Sequence, residues 1–323
     1  MGAARVVAIG DLNASWSAWT TITQGLGLIT ESGGWSGADT HLIQLGDVFN
    51  RGPGARRYFQ ELPELQRQAA QAGGRITQLL GNHEVLTVLG VEAWCTADEY
   101  LAWATEEERA AWPGRVAERN SYLLAVPPPG IVLPLAPQLE AWKALNAPGR
   151  AAMRADLGPE GQVGALVRSL PLAVVDQGCL FTHAPLTPRW ARLGLDGLNE
   201  RVARAWQEAA PFYRALPRKG LFRATQGPLW NRQLAVKETT RERRQVARTL
   251  ALLGVDRMVT GHTQTESLPG GSPGEILGRH QDRLWCIDVS LGAARPAALV
   301  IDDSGGWQWS PDGRWDLWAA DGP

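Results

Sequence analysis

The sequence predicts an α/β fold, and two observations carry that prediction. Short aliphatic runs recur, each ending near a Gly that opens a polar cluster, and helical patterns separate them. RVVAI (5–9) leads into Gly10-Asp11, HLIQL (41–45) into Gly46-Asp47, and RITQLL (75–80) into Gly81-Asn82-His83-Glu84. Short β-branched or aliphatic runs of this kind read as buried strands. The patterns over 15–26 and 54–72 read as helices, which gives the strand–helix–strand rhythm of an α/β sheet. Ligands of such sheets bind beyond the carboxyl ends of the strands, where these polar clusters fall.

The remaining elements follow in order. Residues 91–165 are rich in Ala, Glu, Arg and Trp, and a helical insertion is expected over about 91–168, with helices at 92–125 and 138–168. VPPPG (126–130) with Pro134 and Pro137 marks an irregular connector between them. Strands resume at 170–183, where Asp176-Gln177-Gly178 signals a hairpin turn. Helices are expected at 196–216 and 237–253, a strand at 257–260 before Gly261-His262-Thr263, and two more strands within 284–301. The tail alternates around Pro-Asp-Gly, a hairpin over about 305–319. Its four Trp residues are expected to cover a sheet face, with an oligomer contact as the alternative and the oligomeric state open. The whole chain, 1–323, reads as one domain.

Composition narrows the function. A chain of 323 residues, 44% hydrophobic, can bury a sizeable core. Lys+Arg (32) nearly balance Asp+Glu (33), which argues against nucleic-acid or membrane-surface partners. Three widely spaced cysteines make no disulfide framework and no CxxC knuckle, which points to a reducing compartment. No signal-like or membrane-spanning run is evident, so a cytoplasmic protein is expected. Cys95 (CTADEYL) is followed by acids, which excludes a cysteine-nucleophile phosphate loop, and Cys179 and Cys286 read as buried apolar thiols. His41 reads as core or sheet surface, and His280, in a Gly-rich loop, as solvent-exposed.

The strand ends collect Asp11, Asn13, Asp47, Asn50, Arg51, Asn82, His83, His183 and His262. Carboxylates, imidazoles and amide oxygens are hard-to-borderline metal ligands. One of them alone says little, but five clusters, each after an expected strand, point to a metal centre. The ordered blocks GDLN (10–13), GDVFNRG (46–52), GNHE (81–84), TH (182–183) and GHT (261–263) resemble those of the calcineurin-like metallophosphoesterases. The closest likeness is to the phosphoprotein-phosphatase branch, with its blocks GDxHG, GDxxDRG, GNHE, H and GH. LLGNHEVL (79–86), GPLWNR (227–232) and RLWCIDVSLG (283–292) are similar to the Shewanella-like protein phosphatases, and the resemblance spans roughly residues 5–301.

The resemblance implies a sandwich of two central mixed β-sheets flanked by helices. It also implies two divalent metal ions, manganese first, with Fe, Zn, Mg or Ca as alternatives. Asp11, Asn13 and Asp47 would hold metal 1; Asp47, Asn82, His183 and His262 would hold metal 2. The pair would lie ~3.5–4 Å apart and activate a water between them. Arg51 and Arg232 would grip phosphate oxygens. His83, partnered by Asn50, would protonate the leaving oxygen. The implied activity is phosphomonoester hydrolysis on a phosphorylated protein or a small phosphate ester, by direct attack of water. A nucleotide phosphodiesterase or dinucleoside tetraphosphatase is the alternative within the class, and a silent phosphate-binding pseudophosphatase the alternative outside it.

Three positions depart from the family pattern. Asn13 stands for His, Asn50 for Asp, and Ala14 for Gly. A neutral amide at position 13 makes metal site 1 all-oxygen and weaker than site 2. An amide at position 50 cannot supply the charge that a carboxylate gives an imidazolium. Aryl phosphates, whose leaving groups need less protonation, are therefore expected over alkyl phosphates.

Overall fold

The computed structural model describes residues 5–125, 135–209, 213–291 and 295–320. The connector prolines 127–129 and 134 lie outside the described residues, whereas Pro137 sits in the first turn of a helix, where its missing N–H costs nothing.

The chain opens with β1 (Val6–Ile9), α1 (Trp16–Gly25), β2 (His41–Gln44), α2 (Gly54–Gln71) and β3 (Arg75–Gln78). These three strands are parallel, with β1 and β2 buried at every residue, as continuous apolar runs require. The Ser15 hydroxyl caps α1 by accepting the Ala18 N–H. α2 lays Tyr58, Phe59, Leu62 and Leu65 against the sheet. Among the described residues six helices follow: α3 (Asn82–Val88), α4 (Ala97–Leu101), α5 (Glu106–Ala125), α6 (Leu135–Asn146), α7 (Arg150–Asp156) and α8 (Gln162–Ser169).

The second sheet begins with β4 (Ala173–Asp176) and β5 (Cys179–Thr182), joined at Gln177 (φ +46°) and Gly178 (φ +66°), the two left-handed positions of the expected tight hairpin turn. Then come α9 (Pro188–Ala191), α10 (Gly194–Gln207), α11 (Gln233–Val236) and α12 (Thr240–Leu253), followed by β6 (Arg257–Gln264), β7 (Leu277–Arg279) and β8 (Leu284–Asp288). Strands β9 (Ala298–Asp302), β10 (Gly305–Ser310) and β11 (Gly313–Ala319) return to the first sheet. The strand orders are β11-β10-β9-β1-β2-β3 and β4-β5-β6-β8-β7, and both sheets are mixed.

The two sheets approach closely at the end of β1. A Cβ on Gly10 would lie 2.2 Å from the Ile287 carbonyl oxygen, so only glycine fits there. The carboxyl ends of the parallel strands β1, β2, β3, β5, β6 and β8 carry the polar clusters. At the far edge, Trp307, Trp309 and Trp318 pack on the core, as expected of a face-covering hairpin, whereas Trp315 is 47% exposed.

Several expectations need correction. The helix expected over 196–216 ends at Gln207. Strand β7 gave no periodic signal, being three residues around a glycine. His280 is buried, not exposed: a left-handed turn through His280, Gln281 and Asp282 tucks the ring under α11, where Nε2 donates to the Leu234 carbonyl at 2.6 Å.

Candidate metal centre

The site grows from backbone that few residues tolerate. Asn13 (φ +47°), Ala14 (+57°), Asp47 (+56°), Asn50 (+74°), Arg51 (+72°) and His262 (+65°) are all left-handed. Asn, Asp and His enter that region at least cost, which suits those residue types to these loops. In β6, Thr260 pairs with Cys286 and Gln264 with Asp288, so four steps on β6 face two on β8. The bulge turns His262 inward.

Asp47 is held from all sides. Its Oδ1 accepts the His83 N–H at 2.8 Å. Glu84, fully buried, accepts the N–H groups of Asp47 (2.8 Å), Val48 (2.7 Å), Phe49 (3.3 Å) and Gly81 (2.8 Å), fixing the whole β2–α2 turn. Burial, with the neighbouring Asp47 charge, pushes the Glu84 carboxyl up to about 7. A Cβ on Gly81 would lie 2.3 Å from Asp47 Oδ1, so this glycine of the GNHE block is required by the carboxylate beside it.

The residues present fit a cation. Ligand atoms of Asp47, His183 and His262 all lie within 4.8 Å of one another, and all three residues are buried. His183 Nδ1–H donates to the Leu45 carbonyl at 2.9 Å, which leaves the Nε2 lone pair facing Asn82 Oδ1 at 2.9 Å and Asp47 Oδ1 at 3.4 Å. Burial holds the His183 ring below its ordinary range and therefore neutral. A lone pair and two acceptor oxygens pointing at one another call for a positive ion between them. Both ring nitrogens of His262 are buried without a hydrogen-bond partner, and burial holds that ring neutral too. Asp11 accepts the His262 N–H at 2.9 Å, and its carboxyl is driven well up by burial and by the charges of Asp288 and Asp47.

The other expected site residues gather here unevenly. Asn13 reaches Asp47 through its backbone, its N–H donating to the Asp47 carbonyl at 2.9 Å. Arg51 and Arg232 are exposed, and both lie close enough to Asp288 to draw its carboxyl down against burial. Among the described residues no salt bridge ties either guanidinium to a carboxylate. His83 Nδ1–H donates to Asn50 Oδ1 at 2.5 Å, and its Nε2 lies 3.8 Å from Asp47 Oδ2.

Sequence reasoning missed four residues. Glu84 lies inside the GNHE block, where its role shows only in the N–H groups it accepts. Asp288, pushed up to about 6 by burial, ends β8 before a polar Ser290, the same strand-end signal that found the others. Trp94 stands beside His83 at 5.3 Å between ring centroids. Glu99 meets Asn50 from 49 residues away, where no spacing could have indicated it.

Comparisons with known proteins found relatives in sequence and in fold. No protein-family model matches the chain. Over 291 residues it is 28% identical to Shewanella-like protein phosphatase 2 of Arabidopsis thaliana, covering 89% of this chain and 71% of that protein. It is also 28% identical over 304 residues to an uncharacterised protein of Schizosaccharomyces pombe, covering 90% and 74%. Among solved structures, a cold-active protein-tyrosine phosphatase of a psychrophilic Shewanella superposes with a TM-score of 0.70 at 20% identity, over 97% of this chain and 80% of that one. A protein serine/threonine phosphatase of Saccharomyces cerevisiae superposes with a TM-score of 0.50 at 12% identity, over 94% and 74%. The chain resembles the calcineurin-like phosphoprotein-phosphatase family. Within it, the named curated relatives are Shewanella-like protein phosphatases.

Proposed function

We propose that the chain is a metal-dependent phosphomonoester hydrolase acting on a phosphorylated protein or a small phosphate ester. One observation carries the reading: buried Asp47, His183 and His262 converge with their ligand atoms unpaired or facing one another. Divalent cations bound there supply Lewis-acid charge neutralisation and activate water as the nucleophile. Asp47, Asn82, His183 and His262 would hold one ion, and Asp11, Asn13 and Asp47 the other, manganese being the first candidate.

Arg51 and Arg232 carry unpaired, exposed guanidinium groups at the rim and bind the phosphoryl oxygens in fork geometry. His83 keeps its Nδ1 proton on Asn50, so Nε2 is the atom that gives a proton to the leaving oxygen. Trp94, 44% exposed and beside His83, offers a ring face to an aromatic leaving group, which supports a preference for aryl esters. The names of the curated relatives give no support to a phosphodiesterase or to a silent phosphate binder. Three buried cysteines that form no disulfide fit a reducing, cytoplasmic setting. No helix among the described residues is long and apolar enough to cross a membrane.

The test is p-nitrophenyl phosphate hydrolysis by metal-stripped protein given back Mn, Mg, Ca, Zn or Fe singly, with Asp47→Asn as the control. Turnover that depends on added metal and is lost in the control is expected. Absence of turnover with every metal would overturn the reading.

A further inference from the structure

We propose that Glu99 is a positioning residue for His83, acting through the side-chain amide of Asn50; the inference rests on His83 being the proton donor of the reaction above.

An amide can present either its oxygen or its NH2 group to a neighbour, and only the oxygen can accept the His83 Nδ1–H. What lies behind Asn50 decides which. Glu99 Oε1 accepts the Asn50 backbone N–H at 2.9 Å, and Glu99 Oε2 lies 3.4 Å from Asn50 Nδ2. Cys95 Sγ, 3.2 Å from the same nitrogen, is a second acceptor. With acceptors on that side, Nδ2 must point backward and Oδ1 must face His83, where it sits 2.5 Å from Nδ1. The Thr87 hydroxyl, 3.4 Å away, donates to the same Oδ1. The backbone bond also holds Asn50 at φ +74°, next to the phosphate-binding Arg51 at +72°.

Glu99 has no plain structural reason to be an acid. It is fully buried on the short helix α4, and among the described residues no Lys, Arg or His stands within ion-pair range of it. A carboxylate so placed costs desolvation that a cation does not return. Its position does have one consequence: hydrogen bonds in a low-dielectric chain polarise one another, so an anion behind the amide makes Oδ1 a stronger acceptor. The family's carboxylate at position 50 is absent from this chain, and a carboxyl stands one side chain further back, pushed up to about 7 by burial and so carrying its charge above that pH. In the reaction His83 gives its Nε2 proton to the leaving oxygen, its Nδ1 proton stays on the ring, and Glu99 neither gains nor loses one.

The exchange of the two groups tests this. In Glu99→Gln the new NH2 group faces Asn50 Nδ2, donor against donor, and the Asn50 amide turns over. In the double variant Asn50→Asp/Glu99→Gln the carboxylate and the amide trade places, so every hydrogen bond can re-form. The readout is the ratio of kcat/KM on p-nitrophenyl phosphate, whose leaving group needs no proton, to that on phosphoserine, which does. General acids contribute about 10²–10⁴-fold, and orientation is a share of that, so Glu99→Gln should raise the ratio about tenfold. The double variant should bring it to the wild-type value or below. In 15N-histidine spectra of the metal-free protein, the Nδ1 proton signal that vanishes in His83→Gln should shift in Glu99→Gln and remain hydrogen-bonded in the double variant.

A ratio and a proton signal both unchanged in Glu99→Gln, with His83→Gln raising the ratio, would overturn the relay alone. A ratio unchanged in His83→Gln would overturn the general-acid role, and the relay's catalytic consequence with it. Should Glu99→Gln not fold, the double variant decides: a ratio raised as in His83→Gln overturns the relay.

Discussion

Two buried polar clusters join the two sheets, one at each end of the strands, and they differ in one respect. At the amino end of β2, His41 is fully buried and satisfied: Nδ1 bonds Asp176 at 2.7 Å and Nε2 bonds Thr77 at 2.8 Å, while Arg75 adds a second partner to Asp176 at 2.6 Å. At the carboxyl ends, His262 has no partner on either nitrogen, and burial and the Asp47 charge push up the carboxyls of Asp11 and Asp288, while His183, His83 and His262 hold Asp47 itself below its ordinary range against burial. Buried polar groups are normally paired, so a closed cluster is structural and an open one awaits something from outside. Residue type does not separate the two; both hold a histidine and a carboxylate.

Breaking the open cluster should have the largest effect on activity. Asp47→Asn removes a carboxylate that faces both His183 and His83, and a loss of about 10²–10³-fold in kcat is expected, by comparison with single removals of electrostatic groups. The same change should alter the stability of the metal-free protein little, because the charge it removes pushes up Asp11 and Asp288 but is itself held by His183, His83 and His262. Thermal unfolding without metal checks this; a large loss of stability there would make Asp47 a structural residue like Asp176.

His41 is the counterpart. His41→Gln should cost about 1–3 kcal/mol of stability, since Asp176 and Thr77 each lose a buried partner, and should leave metal affinity unchanged. It should also alter the pH dependence in a defined direction. Burial holds the His41 ring below its ordinary 6.5, so the unfolded chain takes up a proton there that the folded chain refuses. The stability is therefore complete above 6.5 and is lost as pH falls below it. Denaturant unfolding between pH 7 and pH 5 should show a shallower decline in the variant than in wild type.

The contrast also explains what the sequence could reveal. Gly10, Gly46, Gly81 and Gly261 follow apolar runs, and tight strand-to-loop geometry leaves a local imprint that period and composition detect. The blocks around Asp11, Asp47, Asn82, His183 and His262 were legible for that reason. Closure of a cluster is not a local property. Nothing at His41 announces Asp176, 135 residues away, and nothing at Asn50 announces Glu99. The glycine-rich neighbourhood of His280 signals a turn but not which element covers it. Asp288 carries the same local signal, ending β8 where Asp11 and Asp47 follow shortly after β1 and β2.

Within the open cluster the two halves are unequal, and Asn13→His sharpens that inequality. The Asn82–His183–His262 half is built from side chains aimed at one point, whereas Asn13 is tied to Asp47 by backbone alone and is half-exposed. An imidazole there should tighten the weaker of two metal equivalents by roughly tenfold, because it is a stronger donor than an amide oxygen toward the transition metals. Calorimetric titration of stripped protein with manganese, then zinc, would read it. Equal tightening of both equivalents would mean that the halves do not differ as their ligand sets do.

The smallest effect is expected next door. Ala14 holds φ +57° with its side chain buried, and its N–H donates to the Val48 carbonyl at 2.7 Å, so the turn cannot relax without giving up that bond. A left-handed alanine costs roughly 1–2 kcal/mol relative to its preferred backbone, while glycine pays there only its larger loss of freedom on folding. The two terms oppose each other, and Ala14→Gly should gain about 0.5 kcal/mol. Its effect on turnover separates two meanings of the strain. Unchanged kcat with a slightly higher unfolding midpoint would mark Ala14 as a tolerated substitution in a turn that the Val48 bond already fixes. A fall in kcat would mean that the methyl group, beside Gly52, helps hold Asn13 and Asp47 in register, so that the strain belongs to the open cluster itself.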